Sequence, residues 1–130
     1  MLTRLMEAHP LVRWGRSAHL TSTIPDGWYD IADALFGEIE ACLSEDELAL
    51  FHVASICPRR GQLLIILEGN YTEEIGLLVD GLAALSRLIC QECGGQDALF
   101  RHPAVNLTLC DFCEHERGVR IRRSRSMPNR

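Results

Sequence analysis

Two pairs of cysteines in the last third of the chain place the strongest constraint on its fold. Cys90 and Cys93 form one C-x2-C pair, Cys110 and Cys113 form the other, and sixteen residues separate the pairs. This spacing matches the C-x2-C-x15–20-C-x2-C pattern of zinc sites. Two residues between cysteines permit a tight turn that directs both sulfurs at one ion. The sequence therefore predicts one zinc ion bound by all four cysteines.

The predicted zinc is structural rather than catalytic, because four thiolates complete a tetrahedral shell and leave no position for water or substrate. His102, between the pairs, and His115, just after them, are alternative ligands. Two redox-active C-x2-C pairs are a further alternative, although the βαβ context of thioredoxin-like motifs is lacking. Leu107 and Leu109 lead into the second pair like a short strand, which suits a four-cysteine zinc ribbon over residues 90–116.

The composition favours a globular protein in a reducing compartment. The chain has 130 residues, which suits one domain, and 47% of them are hydrophobic. We expect a cytoplasmic protein, and because disulfides are rare in the cytoplasm, six cysteines favour metal binding. Cys42 and Cys57 lie in apolar segments and are expected to be core thiols. The longest apolar run, 63–67, is too short to cross a membrane, and residues 1–10 lack the apolar core of a signal peptide.

Hydrophobic periodicity predicts an α+β core over residues 27–89, in which two helices pack on a β-hairpin. Residues 28–43 and 72–88 each repeat apolar side chains at helical spacing. Asp26 is the predicted N-cap of the first helix, and Asn70 that of the second. Both helices should bury one face against the hairpin.

The hairpin itself is predicted from two apolar segments on either side of a turn. Residues 50–57 and 63–67 read as strands, and the second is apolar on both faces. Residues 58–61 form the turn, where Gly61 is free to adopt positive φ. Residues 1–26 are expected to be irregular apart from a short helix near the N-terminus.

Four short elements carry a resemblance to a known group of proteins. They are Gly27-Trp28-Tyr29-Asp30, Arg59-Arg60-Gly61-Gln62-Leu63, Cys90 to Gly94, and Leu109-Cys110-Asp111-Phe112-Cys113. Over residues 27–113 the chain resembles a group of small uncharacterised proteins from bacteria, phages and mobile elements. The resemblance implies an α+β domain with a zinc knuckle, and it implies no activity. The second element departs most from the group, where a Lys-Phe-Gly-Gly-like run is expected.

The charge distribution suggests a protein partner. Residues 1–116 contain eighteen acidic residues and seven arginines, a net charge of −11, whereas residues 117–130 contain six arginines and no acid. An acidic body can mimic nucleic acid and occupy a basic groove of another protein. We therefore expect a non-catalytic interaction protein. Together with the acidic body, the resemblance implies a phage or mobile-element inhibitor that binds a host protein complex. The sequence does not specify the oligomeric state.

Nucleic-acid binding through the arginine-rich tail, residues 117–130, is the alternative function. The candidate phosphate ligands are Arg117, Arg120, Arg122, Arg123 and Arg125. Arg59 and Arg60 of the predicted turn could add two contacts, with an affinity that falls steeply with salt. The tail contains no aromatic residue on which bases could stack. It is expected to be disordered, and it could instead fold back on the acidic body or dock on a second copy.

No combination of residues predicts catalysis, so we expect no enzyme activity. His52 and Cys57 resemble a base and a nucleophile, but five residues apart on one strand they should point to opposite faces. His9 has no recognisable partner. The acidic residues of the first long helix read as a solvated face: Asp30, Asp33 and Glu38.

Overall fold

A two-stranded antiparallel hairpin forms the centre of the structure, and helices cover one of its faces. The computed structural model describes residues 2–102 and 105–126, with side chains described up to residue 118. In chain order the elements are α1 (Leu2–Ala8), α2 (Ala18–Thr21), a 3-10 turn (Asp26–Trp28), α3 (Tyr29–Cys42), α4 (Glu45–Leu48), β1 (Phe51–Arg59), β2 (Gln62–Gly69), α5 (Glu73–Ser86), β3 (Leu99–Phe100), β4 (Thr108–Leu109) and α6 (Asp111–Ser126). The predicted α+β class, with helices packed on a hairpin, is confirmed.

The hairpin closes through a two-residue turn. Arg59 pairs with Gln62, and both turn residues, Arg60 and Gly61, have positive φ, at 51° and 79°. Such a turn matches the right-handed twist of the strands. A bulge at Ala54 interrupts the register of β1. Because the turn contains two residues instead of the predicted four, both strands extend closer to it than the sequence pattern predicts.

The N-terminal segment runs along the outer edge of β1, which is an edge strand of the two-stranded sheet. The Val53 N–H donates to the Arg13 carbonyl at 2.9 Å, and the Gly15 N–H donates to the Val53 carbonyl at 2.8 Å. Further along, the Thr23 N–H donates to the Ile56 carbonyl at 2.9 Å. A segment expected to be irregular thus satisfies backbone groups of an edge strand.

Helices α3 and α5 bury one apolar face each, as predicted. Ser86 ends α5 with a buried hydroxyl, which accepts from the Leu63 N–H of β2 at 2.8 Å. The N-cap of α5 is Thr72, whose hydroxyl accepts from the Ile75 N–H at 3.3 Å, and the prediction of Asn70 is wrong. Thr72 has the extended backbone of a cap immediately before the first free helical N–H groups.

Two further predictions are wrong: the burial of Cys42 and Cys57 in the core, and the capping of α3 by Asp26. Cys42 is exposed and Cys57 only half-buried, so neither is a core thiol. Asp26 begins a 3-10 turn and does not cap α3. Ile66 in the middle of β2 is 41% exposed, so this strand is covered on one face only.

The C-terminal region differs from the predicted zinc ribbon and disordered tail. The second cysteine pair stands at the start of helix α6, whereas a ribbon would place it on a second hairpin turn. Helix α6 continues to Ser126, because Asp111 and Glu114 in its first turn favour the positive helix end and arginine is a good helix former. Residues 127–130 of the predicted tail lie outside the described residues. No helix among the described residues is both long and apolar enough to cross a membrane.

Candidate metal centre

The first cysteine pair lies on a tight turn that follows α5. The Cys90 N–H donates to the Gly95 carbonyl, and the Gly94 N–H returns to the Cys90 carbonyl, both at 2.8 Å. Gly94 has a φ of +79°, which permits the reversal. The Gly95 N–H then donates to the Cys93 sulfur at 3.3 Å. The turn thus presents two sulfurs together with a backbone donor that stabilises a thiolate.

The second pair spans the N-terminus of α6. Cys110 immediately precedes the helix, and Cys113 lies in its first turn. The Cys113 N–H donates to the Cys110 sulfur at 3.4 Å. Free N–H groups and the helix dipole at this end favour negatively charged sulfurs.

The four sulfurs form a cluster of the size that one metal ion requires. Their ligand atoms all lie within 4.8 Å of one another, and the sulfurs of Cys93 and Cys110 are 3.7 Å apart. Four sulfurs at about 2.3 Å from a tetrahedral zinc are about 3.8 Å apart, whereas a disulfide joins sulfurs at about 2.05 Å. The donor set and its spacing therefore fit a metal ion.

The sulfurs also influence one another's ionisation. Burial works to raise the pKa of the Cys90 thiol, but backbone N–H groups within the two C-x2-C turns outweigh burial and lower this pKa to about 7. Burial and the three neighbouring sulfurs raise the pKa of Cys113. One thiolate is thus favoured near neutral pH, whereas four thiolates need a cation between them to offset their repulsion.

The start of α3 packs directly against the first cysteine turn. A Cβ atom on Gly27 would overlap the carbonyl oxygen of Cys90, and the Gly27 N–H donates to the Gln91 carbonyl at 3.0 Å. The next residue, Trp28, is fully buried, and its indole N–H donates to the Ile89 carbonyl at 2.8 Å. These contacts make the metal centre part of the main body rather than a separate module.

Gln91 and Thr108 connect the two cysteine pairs and join them to the hairpin turn. The Gln91 N–H donates to the Thr108 carbonyl, and the Thr108 N–H donates to the Gln91 side-chain oxygen, both at 2.9 Å. The Thr108 hydroxyl donates to the Gly61 carbonyl, and the Phe100 ring leaves no room for a Cβ on Gly61. The helix start, the hairpin turn and both cysteine pairs, which carry the resemblance, therefore meet at one place.

Neither histidine considered as an alternative ligand belongs to the cluster. In the described part of the chain, the candidate metal group consists of the four cysteines alone. The His102 ring lies 2.6 Å from the Asn106 side-chain oxygen and stacks on Phe100. His115 is exposed on α6.

His52 and Cys57 do not form a catalytic pair, for a different reason from the one expected. The bulge at Ala54 shifts the alternation of β1, so both side chains face outward. They remain roughly 13–16 Å apart along the strand, which is too far for a hydrogen bond. His52 instead lies 3.5 Å from Glu68 on the neighbouring strand.

The candidate phosphate ligands of the C-terminal region all fall within α6: Arg117, Arg120, Arg122, Arg123 and Arg125. The Arg117 guanidinium donates to the Glu92 carboxylate at 2.8 Å, so it points back at the first cysteine turn. The side chains of the other four lie outside the described part of the structure. Because Arg117 already forms an ion pair with Glu92, it is a weak candidate for phosphate binding.

His9 is a buried histidine whose partners sequence reasoning missed. Its ring nitrogens lie 2.6 Å from the Glu40 carboxylate and 2.7 Å from the Asp33 carboxylate. Glu40 also accepts from the Leu11 N–H at 3.2 Å. Because both nitrogens face carboxylate oxygens, the ring can donate to both only when it is protonated. The spacing of Asp33 and Glu40 could have indicated this site, because residues seven positions apart lie on the same face of a helix.

Comparisons of the chain with protein-family models, with curated proteins and with solved structures found no match. What the protein does is therefore inferred from its own geometry and charge.

Proposed function

We propose that this protein is a non-catalytic interaction protein that binds a helix of a partner protein in an apolar groove between α3 and α5. The groove encloses about 330 Å³ and is lined by leucines of α5 and by Ile31, Ala34 and Leu35 of α3. This apolar groove is the observation on which the proposal rests. Apolar grooves between helices are a recurring site for amphipathic partner helices.

The exposed side chains of α5 support binding at this face. Leu77 is 63% exposed and Leu85 is 46% exposed, and they flank Gly81 at helical spacing. A Cβ atom on Gly81 would meet nothing within 4 Å, so no described neighbour requires a glycine there. Glycine in a helix costs about 1 kcal/mol relative to alanine. At this position it would permit the close approach of another helix.

The charge around the groove identifies the class of partner. Glu38 lines the groove, and Glu73, Glu74 and Asp80 are exposed on α5. We infer a partner helix with a leucine-rich or aromatic face flanked by lysine or arginine. Such charge complementarity mainly sets specificity and association rate.

In this proposal the metal is one structural zinc ion, bound by Cys90, Cys93, Cys110 and Cys113. With zinc bound, the first cysteine turn, the short β3–β4 hairpin and helix α6 would follow one another in the order of a treble-clef finger. The free energy of zinc binding would stabilise the fold. We propose a cytoplasmic protein of this kind, in keeping with reduced cysteines. The acidic body and the resemblance support its role as a phage or mobile-element inhibitor of a host complex.

The test compares capture of host proteins by the full chain and by single-residue variants. Leu77→Asp and Leu85→Asp place a charge in the groove, whereas Leu20→Asp alters a leucine that is 76% exposed on α2, outside the groove. A genuine partner is retained by the wild type and by Leu20→Asp and lost with both groove variants. Circular dichroism confirms that all three variants remain folded.

Two results would contradict the proposal. One is a set of captured proteins that does not change with the groove variants. The other is no specific capture by the wild type. Light scattering of the same samples shows whether the groove is instead occupied by a second copy, which would raise the mass of the wild type and not of Leu77→Asp.

A further inference from the structure

A second recess lies at the tip of the hairpin, and neither the four cysteines nor the residues of the α3–α5 groove line it. It encloses about 550 Å³ and is lined by Arg60, Phe100, His102 and Asn106. This volume is in the usual range for small-molecule sites. The recess combines one permanent cation, two aromatic rings and one amide. No step of the proposed protein binding uses these groups.

Arg60 occupies a backbone conformation that an arginine rarely adopts. Its φ is 51°, in the first position of a turn that normally takes asparagine or glycine there. A second residue of the recess, Asn106, also has positive φ, at 53°. An arginine at this turn position therefore strains the backbone, and an asparagine there would relieve the strain. Residues with strained backbones cluster at functional sites.

The two rings form a stacked pair. Phe100 and His102 are stacked with an interplanar angle of 17° and ring centroids 5.8 Å apart. Phe100 is anchored against Gly61, and His102 is fixed by its 2.6 Å contact with the Asn106 side chain. Aromatic rings held in this way accept a planar base by stacking.

The hairpin tip carries two positive charges, Arg59 and Arg60, on a body whose net charge is negative. Among the residues that the structure describes, neither Arg59 nor Arg60 takes part in an ion pair. The neighbouring Arg101 is already paired with Asp111 and Glu114. The Arg60 guanidinium beside the stacked rings suits an anionic ligand with a flat ring.

We propose that this recess binds an unpaired nucleotide. The base stacks on the Phe100–His102 pair, the Arg60 guanidinium binds the phosphate, and the Asn106 amide faces the edge of the base. The ligand chemistry is that of a nucleoside monophosphate, either free or as one unit of a single strand. A base within a duplex is excluded, because its faces are already stacked.

The test measures binding of labelled single-stranded oligonucleotides, the matching duplex and a free nucleoside monophosphate to the full-length protein. Arg60→Asn removes the guanidinium and gives the turn its preferred Asn-Gly sequence, so the fold is retained. We expect this variant to weaken binding by about tenfold or more. His102→Ala removes an exposed ring and should weaken it by about 5-fold or more, from the lost stacking.

The matched control is Arg16→Asn, which changes the net charge equally at an exposed arginine that does not line the recess. It should change affinity by less than about twofold. Binding of the monophosphate with the same variant pattern identifies a free nucleotide as the ligand. Binding of the strand alone identifies single-stranded nucleic acid. Equal losses for both arginine variants, preference for duplex, or no binding by the wild type would overturn the proposal.

Discussion

Replacing His9 with glutamine should destabilise the protein most strongly at mildly acidic pH. Burial works to lower the pKa of His9, but hydrogen bonds to Glu40 and Asp33 outweigh it and raise the pKa above the usual 6.5. A group whose pKa is raised in the folded state contributes stability that is fully present below the unfolded pKa. This contribution is lost as the pH rises through the folded pKa.

The magnitude follows from the two contacts that the imidazolium makes. Hydrogen bonds to charged groups contribute about 1.5–3 kcal/mol each, and the partial exposure of Asp33 reduces its share. We therefore expect His9→Gln to lose about 2–4 kcal/mol at pH 6. For a chain of this size the melting temperature should fall by roughly 6–15 °C.

Urea denaturation of the wild type and of His9→Gln between pH 6 and pH 9 measures this difference. His19→Gln is the matched control, because His19 is exposed on α2. The stability difference between wild type and His9→Gln should shrink as the pH rises, and that for His19→Gln should stay near zero. The reasoning is refuted if the His9 difference widens with pH, or if the His9 ring titrates below 6.5 by nuclear magnetic resonance.

Three further outcomes test the packing around the centre. Gly27→Ala should destabilise the protein by about 2–3 kcal/mol, because a methyl group would overlap the cysteine turn. Gly81→Ala should stabilise it by about 0.5–1 kcal/mol. Melting temperatures that rank the two variants in the opposite order would contradict this prediction. Ser86→Ala should cost about 1–3 kcal/mol by leaving the Leu63 N–H unpaired, and faster hydrogen exchange at that amide should accompany the loss. Treatment with a strong chelator should reduce the far-ultraviolet helix signal, and an unchanged spectrum would count against a structural metal.

Much of the core could be predicted from sequence because apolar spacing reports which side of an element is buried. The hairpin and the helices α3 and α5 all carry such stripes. Helix α6 could not be found in this way, since its residues are mainly charged and form no apolar stripe. Cys42 was misassigned because it lies at the edge of the α3 stripe, at the last residue of the helix.

The four-cysteine cluster could be predicted because the C-x2-C spacing typical of metal sites is local in sequence. The contacts that anchor the centre could not, because they join distant residues of ordinary type. Gly61 and Thr108 are 47 positions apart, and Trp28 and Ile89 are 61 apart. The same holds for His9, whose acidic partners look like a solvated helix face until α1 is placed against them.

The most direct measurement is the metal content of the intact protein by native mass spectrometry with elemental analysis. We predict one zinc ion per chain in the wild type and in Cys42→Ser, which removes an exposed cysteine outside the cluster. Cys113→Ser should lose the ion or bind it far more weakly, and lose helix signal with it. A wild type that remains folded without metal, or a Cys113→Ser variant that holds zinc as tightly as the wild type, would contradict a four-cysteine structural centre.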